Sequence, residues 1–522
     1  MNNQQEEPKV DFQVFSPAVV VVLLVTLPLM IFPQPAAQII LSARAFIMDH
    51  FMWLYLIAGL SALAFCIWLA FGRYGNVKLG KANEEPEYSN IHWIAMMFTA
   101  AIGASVIAWG FAEPIFYIQN PPLNLIPLSD EAFEWAHMYP LLHWGIVPWA
   151  IYALPAVPIA YMLYVREYPV LRISSACDGA LPQKGRGQVK TTIDILIVLA
   201  IVGGVATTLG LGVPLVSAML ATLLGVEDSM MIKMGVLIFW TLLFGTSVYK
   251  GLKAGIKILA DINIALAILA ILFVLVAGPG IFILDLTVNS FGIMFNNFLR
   301  TATWTDPIGE GGFPEAWTGF YWAWWFAYTG MVGLFFGRIS RGRTIRQLVL
   351  GVITWGCIGT WLFLAVMGGY SLYLENTGSL SVTEILNTQG LSFVNALVIK
   401  SLPFGNVTLF VFTVLSIIFY ATTIDSSAYV ISSICAKDLA NTQEPRRWNR
   451  IAWAVLLALI TAGLLQADSL QTVLAMTVVS SLPMIPILVL LCISTRKWLR
   501  EDFPHLNTSK EIVKTTAKST VG

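Results

Sequence analysis

The segment from Trp317 to Tyr328 is dense in tryptophan, tyrosine and phenylalanine, and it lies in an apolar stretch long enough to cross a bilayer. Tryptophan and tyrosine usually concentrate at membrane interfaces, whereas here they run through a predicted span. The faces of packed aromatic rings attract cations that have shed their water. The segment therefore predicts either an aromatic cage for a quaternary ammonium group or ordinary packing of bulky side chains between helices.

A second group of rings occupies residues 143–152. Trp144, Trp149 and Tyr152 are spaced five and three residues apart, which would place them on roughly one face of a helix. Pro148 lies among them and is expected to kink that helix, because proline lacks a backbone donor. His143 could titrate, or it could serve only in packing and hydrogen bonding. These three rings would form one wall of a cage, and its other wall would consist of Trp324, Trp325 and Tyr328.

A stretch of small residues runs from 100 to 110 and is followed by Glu113 and Pro114. Small residues let helices approach closely, and they also let a helix break where a cavity satisfies its backbone. Broken helices near the membrane midplane are where secondary transporters bind substrates and ions. The stretch thus indicates either a close-packed helix crossing or a broken helix at a binding site. Glu113 is interpreted as a proton site or as a helix cap.

The 522-residue chain is 57% hydrophobic and only 11% charged, whereas a soluble domain carries about 25% charged residues. This composition predicts a polytopic membrane protein.

The net charge is zero and the sequence has no basic patch, so no nucleic-acid partner is expected. The scattered cysteines indicate neither a metal site nor a disulfide framework. No cofactor is predicted, and because an ATP-binding phosphate loop is missing, any uphill transport must use gradients.

Apolar runs of about 20 residues predict transmembrane helices, and a shorter amphipathic segment, 286–300, is expected to lie along the membrane surface. Lysine and arginine concentrate in the loops after the even-numbered helices, which places both termini in the cytoplasm. The twelve predicted helices occupy 15–33, 52–71, 93–118, 138–164, 192–221, 231–249, 256–283, 316–337, 346–373, 405–435, 450–467 and 472–495.

Two signatures resemble those of the betaine/choline/carnitine transporter family. One is Phe320–Trp325 followed by Gly337–Thr344, and the other is His143–Gly145 with Pro148–Tyr152. The helix pattern and the short ends fit the same family, so the resemblance covers nearly the whole chain. It implies an all-α polytopic fold with twelve transmembrane helices. Helices 3–7 and 8–12 would form a LeuT-type 5+5 inverted repeat, and helices 1 and 2 would precede it.

The resemblance also implies a division of the chain and an assembly. Family members are generally homotrimers, so a homotrimer in the bacterial inner membrane is expected. The predicted parts are a cytoplasmic tail (1–14), helices 1–2 (15–92), the first repeat (93–283), a connector with the surface helix (284–315), the second repeat (316–495) and a cytoplasmic C-terminal tail (496–522).

The substrates implied by the resemblance carry a trimethylammonium or similar onium group. Trp324 is expected to be the ring that faces this cation, whereas Phe320 and Trp322 are expected to pack. Trp317 matches a tryptophan that forms a second site, nearer the outside, in carnitine transporters. Phe116 stands where those transporters have a tyrosine. The six positions that match the family's cage are Trp144, Trp149, Tyr152, Trp324, Trp325 and Tyr328.

The resemblance bears on the driving force as well. Sodium-coupled relatives have a GxGxG run in helix 3, and here only its central glycine remains among Ala101, Gly103 and Ser105. Those relatives also use two threonines of helix 5. The matching positions, Ile201 and Val205, offer no side-chain oxygen for an ion.

Other positions leave the coupling open. Thr422 and Thr423 retain the hydroxyls that serve the other sodium site in helix 10. Lys257 lies where carnitine/γ-butyrobetaine antiporters place an arginine, although it could instead extend to the interface from the end of helix 7. Asp425, a second charge in a span, could pair with a cation, bind a proton or cap a helix break.

These features predict a secondary active transporter of glycine betaine, carnitine or similar compounds that works by alternating access. Transport is expected to be sodium-independent, through exchange or proton coupling. The alternative is a sodium-coupled symporter of the same fold for betaine, choline or dimethylsulfoniopropionate. An enzyme is not indicated, because the sequence has no nucleophile–base arrangement or metal cluster. A channel is not indicated either, because no repeated pore motif is present.

Overall fold

A computed structural model describes residues 8–101, 103–250, 253–437, 439 and 444–506, without the side chains of 98–101, 103–104, 247, 249–250 and 253–262. The described residues form α-helices, and their two isolated β-bridges, Val10–Ala436 and Lys78–Thr344, do not extend into strands. The expected all-α fold is confirmed for this part of the chain.

The helices are numbered here in chain order. They are α1 (Phe12–Ile31), α2 (Pro33–Phe71), α3 (Asn90–Ala101), α4 (Gly103–Gly110), α5 (Glu113–Gln119), α6 (Asp130–His143), α7 (Ile146–Tyr164), α8 (Ile173–Ala176), α9 (Arg186–Leu224), α10 (Met230–Lys250), α11 (Lys253–Ala277), α12 (Gly280–Thr303), α13 (Gly319–Ile339), α14 (Ile345–Asn376), α15 (Val382–Gln389), α16 (Leu391–Lys400), α17 (Gly405–Ile434), α18 (Arg447–Gln466), α19 (Leu470–Ser481) and α20 (Met484–Asp502).

Several of these helices are long and apolar enough to cross a membrane. Within the described ranges there are nine such segments, and two of them are the consecutive pairs α6–α7 and α19–α20. Shorter apolar helices span Met230–Thr246, Asn263–Ala277 and Leu391–Lys400. The prediction of a multi-pass membrane protein is confirmed, while the number of twelve spans and the inverted repeat stay predictions.

The second helix begins much earlier than predicted. It starts at Pro33, and its 39 residues run to Phe71, so Arg44 lies within a helix rather than in a loop. Proline at the first helical position is pre-organised for a helix start. The prediction was wrong because the polar residues after Pro33 end the apolar run without ending the helix. Arg44 donates from Nη1 to Gln471 Oε1 at 2.7 Å.

The predicted helix 138–164 is two helices, separated at Trp144 and Gly145. The kink expected at Pro148 is therefore wrong. Pro148 lies in the first turn of α7, where a backbone N–H has no intrahelical partner and its loss costs little.

Other predicted helices also divide or end differently. The predicted helix 93–118 is interrupted, because α4 ends at Gly110 and α5 begins at Glu113. The predicted helix 472–495 is interrupted at 482–483, and the one over 256–283 ends at Ala277. Prolines lie at the last two interruptions, where they cannot continue a hydrogen-bonded helix. The amphipathic helix α12 is longer than the predicted 286–300.

Helices α7 and α13 form the interior of the described structure. They pack along each other, α7 also contacts α2 and α14, and α13 also contacts α9 and α19. Nearly every residue of both helices is buried. A helix that is apolar on all sides lies in a protein core or spans a membrane. Here neighbouring helices bury both, and this location brings the two aromatic segments together.

Candidate aromatic binding site

The two aromatic segments meet along the contact between α7 and α13. The ring of Trp325 lies at the centre, with its centroid 4.4 Å from Tyr152 and 5.6 Å from both Trp149 and Trp144. Its indole Nε1 donates to the carbonyl oxygen of His143 at 3.0 Å. Edge-to-face arrangements dominate these contacts, as the quadrupoles of aromatic rings favour.

Trp324 borders the same group of rings. Its ring centroid is 6.0 Å from that of Trp144 and 5.5 Å from that of Phe320. The residue is only 4% exposed, and its indole Nε1 has no hydrogen-bond partner among the described residues. Buried indole donors normally find a partner, so Trp324 offers one unused donor beside the rings.

Tyr328 lies one helical turn beyond Trp324 and is fixed to α9. Its hydroxyl is 2.7 Å from Thr208 Oγ1, which donates in turn to the Gly204 carbonyl. The ring packs so closely on Gly204 that a Cβ there would lie 3.0 Å from it. This close approach explains a glycine within the long helix α9.

The break between α6 and α7 sets the direction of Trp144. Two side chains of α14 satisfy carbonyls at this break, since the Thr360 hydroxyl donates to Trp144 O at 2.6 Å and Trp361 Nε1 donates to Leu141 O at 2.7 Å. Helix ends inside a membrane need such partners, because no water is available there. A Cβ at Gly145 would lie 2.4 Å from Leu141 O, so only glycine fits at this position.

Trp149 is completely buried and is held from the other side by α14. Its Nε1 donates to Thr360 Oγ1 at 3.3 Å. A Cβ at Gly356 would lie 2.1 Å from the Trp149 ring, so the indole lies directly on the backbone of α14. Trp149 thus supports the neighbouring ring of Trp325 and contributes little open surface.

A separate group of rings surrounds Trp317, which lies in a short π-helical turn, Pro314–Thr318, just before α13. The Trp317 centroid is 4.9 Å from Tyr117, 5.1 Å from Phe116 and 5.8 Å from Trp109. Trp317, which the resemblance linked to a second site, is therefore a neighbour of Phe116, which stands where carnitine transporters have a tyrosine.

Glu113 lies between the two groups of rings and is fully buried. Tyr117 donates its hydroxyl hydrogen to Glu113 Oε1 at 2.7 Å, and Trp144 donates from Nε1 to Glu113 Oε2 at 3.1 Å. His143 Nδ1 is 3.3 Å from Glu113 Oε1. The interpretation of Glu113 as a helix cap is wrong, because the carboxylate is bound by side chains of three segments rather than by the first turn of α5.

His143 is equally buried and has a partner on each nitrogen. Nδ1 lies 3.0 Å from the Tyr117 hydroxyl oxygen, and Nε2 lies 3.1 Å from Thr318 Oγ1. The Tyr321 ring stacks on the imidazole at 4.7 Å. The residue is thus part of a polar network, and it is not an apolar packing element.

The residues predicted to govern coupling are only partly described. Lys257, Ala101 and Gly103 belong to the backbones of α11, α3 and α4, but the side chains of Lys257 and Ala101 lie outside the described residues. Ser105 on α4 is half-buried. Ile201 and Val205 are completely buried on α9.

On α17 the predicted hydroxyls and the carboxylate have local partners. Thr422 and Thr423 both donate to the Phe419 carbonyl, at 2.8 and 3.0 Å. Asp425 Oδ1 accepts from Arg450 Nη2 on α18 at 3.1 Å. Among the three roles foreseen for Asp425, the structure shows pairing with a cation.

Sequence reasoning missed the residues that hold the rings in place. Thr360, Gly356 and Thr318 are ordinary residues in their own segments, and no spacing rule marks them. A signal for the Glu113–His143 pair existed, because both are ionisable residues in predicted spans, and such residues usually have a partner. The sequence did not show that they are each other's partner.

The chain is similar in sequence to known transporters over most of its length. The family model described as BCCT, betaine/carnitine/choline family transporter, matches residues 13–504. A carnitine transporter from Acinetobacter baumannii is 33% identical over 443 residues, which cover 85% of this chain and 80% of that protein. An uncharacterized transporter, YeaV, from Escherichia coli is 34% identical over 451 residues, covering 86% of this chain and 93% of that protein.

Proposed function

Because the chain belongs to the betaine/carnitine/choline transporter family, we propose that the rings between α7 and α13 form its substrate site. The protein is a multi-pass membrane transporter of quaternary ammonium compounds and is not an enzyme. In our proposal, the onium head group lies against Trp324, with Trp325, Trp144 and Tyr152 around it and Trp149 and Tyr328 in support.

The observation that carries this proposal is the arrangement of rings around Trp325 and Trp324. Four indoles and a phenol from α7, α13 and the break before α7 converge within 4.4–6.0 Å, and all are buried. Such rings bind a desolvated cation without a formal counter-charge, and quaternary ammonium ions are the ligands best suited to them. Glycine betaine and carnitine are the proposed substrates, and the similarity to a carnitine transporter supports the second.

A thermal-shift panel tests the substrate class. We expect glycine betaine, carnitine or choline to raise the melting temperature of the detergent-purified protein, because a ligand that binds only the folded state stabilises it. The matched control is 3,3-dimethylbutanol, a neutral analogue of choline in which carbon replaces nitrogen. Equal shifts for choline and this analogue, or no shift for any onium compound, would contradict the proposal.

We propose that transport is sodium-independent, driven by exchange or by protons. The apolar and buried Ile201 and Val205 support this, as does the lysine at position 257. The alternative is a sodium-coupled symporter, favoured by the half-buried hydroxyls of Thr422 and Thr423. Both hydroxyls keep unused lone pairs, because each is observed only as a donor to its own helix.

Uptake of labelled glycine betaine into proteoliposomes preloaded with unlabelled substrate should proceed equally well in sodium and in potassium buffers. The reason is that counterflow needs no sodium ion if the fixed positive charge of Lys257 takes the place of that ion. Lys257→Gln should lower counterflow strongly, whereas Lys253→Gln, which removes a lysine one turn earlier on α11, should not. A strict sodium requirement, or full activity of Lys257→Gln, would favour the symporter.

The assembly and orientation are also proposals. A homotrimer with both termini in the cytoplasm is suggested by family membership and by the distribution of lysine and arginine. Mass photometry of the purified protein would give the number of subunits. Labelling of single cysteines placed near each end would give the orientation.

A further inference from the structure

A buried carboxylate and a buried imidazole lie together beside the proposed substrate site. Glu113 and His143 are both 0% exposed, and Oε1 of the first is 3.3 Å from Nδ1 of the second. Ionisable groups inside a membrane are costly and usually functional. The binding of an onium head by aromatic rings does not by itself require either group.

The hydrogen bonds around the pair allow it to exist with or without an extra proton. The Tyr117 hydroxyl donates to Glu113, so its oxygen can accept the hydrogen on His143 Nδ1 at 3.0 Å. Thr318 Oγ1, 3.1 Å from Nε2, can accept a hydrogen from imidazolium or donate one to neutral imidazole. Both protonation states therefore leave every nitrogen of His143 with a partner.

The two states differ in charge. With the proton, the ionised carboxylate and the imidazolium cancel, and the stacked Tyr321 ring at 4.7 Å favours the cation. Without the proton, one negative charge remains in the protein interior, held by neutral groups: the Tyr117 hydroxyl, the Trp144 indole and Nδ1 of His143 at 3.3 Å. A buried single charge is costly unless another charge arrives to balance it.

The surrounding elements provide few other charges. The phenols that face the pair belong to Tyr117 on α5, Tyr139 on α6 and Tyr321 on α13. His137, also on α6, bonds instead to Ser290 and to the Ala365 carbonyl. The charged side chains of α12 and α15, Asp285, Arg300 and Glu384, are exposed, and those of α14 lie at its two ends, at Arg346 and Glu375.

Trp144 connects the pair to the rings. Its Nε1 is bonded to Glu113 Oε2 at 3.1 Å, and its ring centroid lies 6.0 Å from Trp324 and 5.6 Å from Trp325. An onium head against these rings would therefore be about one indole away from the carboxylate. The cation balances the charge of the deprotonated pair and is not attracted by the neutral, protonated one.

We propose that Glu113 and His143 form a proton-binding site coupled to the onium site, so that binding of an onium head group releases a proton from the pair. The inference rests on the proposed function, since it needs an onium ligand at the rings. By linkage, protons and onium compounds weaken each other's binding by the same factor. Affinity for the onium compound rises with pH, by on the order of ten-fold for charges separated by one ring at an intermediate dielectric constant.

Calorimetric titration with glycine betaine tests the coupling, because the charges of this ligand stay constant between about pH 5 and pH 8. The wild-type protein should bind about ten-fold more tightly at the upper end of this range. Titrations in buffers of different ionisation enthalpy should show proton release on binding, which requires no variant. Glu113→Gln keeps an acceptor for Trp144 but cannot ionise, and it should bind with little dependence on pH.

The matched control is His137→Gln, which removes a buried histidine of the same helix that has no carboxylate partner; it should keep the pH dependence. Binding by the wild-type protein without pH dependence or proton release would overturn the coupling and leave the proposed function intact. A folded Glu113→Gln protein with the wild-type pH profile would also overturn the coupling and leave the proposed function intact. If glycine betaine binds at no pH, the same titration with carnitine decides: binding of neither compound at any pH would refute the proposed substrate site together with the coupling.

Discussion

Replacing Trp324 with leucine should weaken onium binding by about thirty-fold or more, because a desolvated cation–π contact contributes about 2 kcal/mol. The side chain borders the ring cluster, and its Nε1 has no partner within the described part of the chain. The change therefore removes a ring surface and a free donor without breaking a hydrogen bond of the fold. Binding of glycine betaine by thermal shift and by calorimetry measures the effect.

The control for Trp324→Leu is Trp453→Leu on α18. Trp453 is also fully buried, but it packs against Phe15 on α1 rather than against the proposed site. This variant should lower the melting temperature and leave affinity unchanged. If Trp324→Leu retains wild-type affinity in a folded protein, or if both variants lose binding in parallel, Trp324 does not face the cation.

Gly356→Ala should weaken onium binding by about ten-fold or more although it alters no ring. The added Cβ would lie 2.1–2.4 Å from three atoms of Trp149, whereas carbon atoms at optimal separation are about 3.5–4.0 Å apart. The indole must therefore move by roughly 1 Å, a shift larger than binding sites usually tolerate. The displacement passes to Trp325, whose ring lies 5.6 Å from Trp149.

The matched control for this variant is Gly292→Ala on α12, where a Cβ would meet no atom within 4 Å. That change should leave binding intact and stabilise the helix by up to about 1 kcal/mol, because alanine favours helices over glycine. Calorimetric affinity and melting temperature should be measured for both. Wild-type affinity in Gly356→Ala would show that the position of Trp149 does not matter for the site.

The sequence was sufficient for the class of protein and for the types of side chain at the site. Low charge and long apolar runs predict membrane-spanning segments, because apolar side chains match the hydrocarbon core, and helices satisfy the backbone groups there. The rings of residues 143–152 and 317–328, taken together with the family resemblance, predicted a cation site before their contact was known. These are properties of composition and local pattern, which do not depend on distant residues.

The tertiary structure decided where helices break and which residues meet. Pro148 predicts a kink when α7 is considered alone, but the break lies at Trp144 and Gly145, because Thr360 and Trp361 of α14 satisfy the carbonyls there. Glu113 and His143 are 30 residues apart in the chain, and their pairing follows from the packing of α5, α6 and α13. A single sequence records which groups need partners, whereas only the packing of helices determines which partner each group receives.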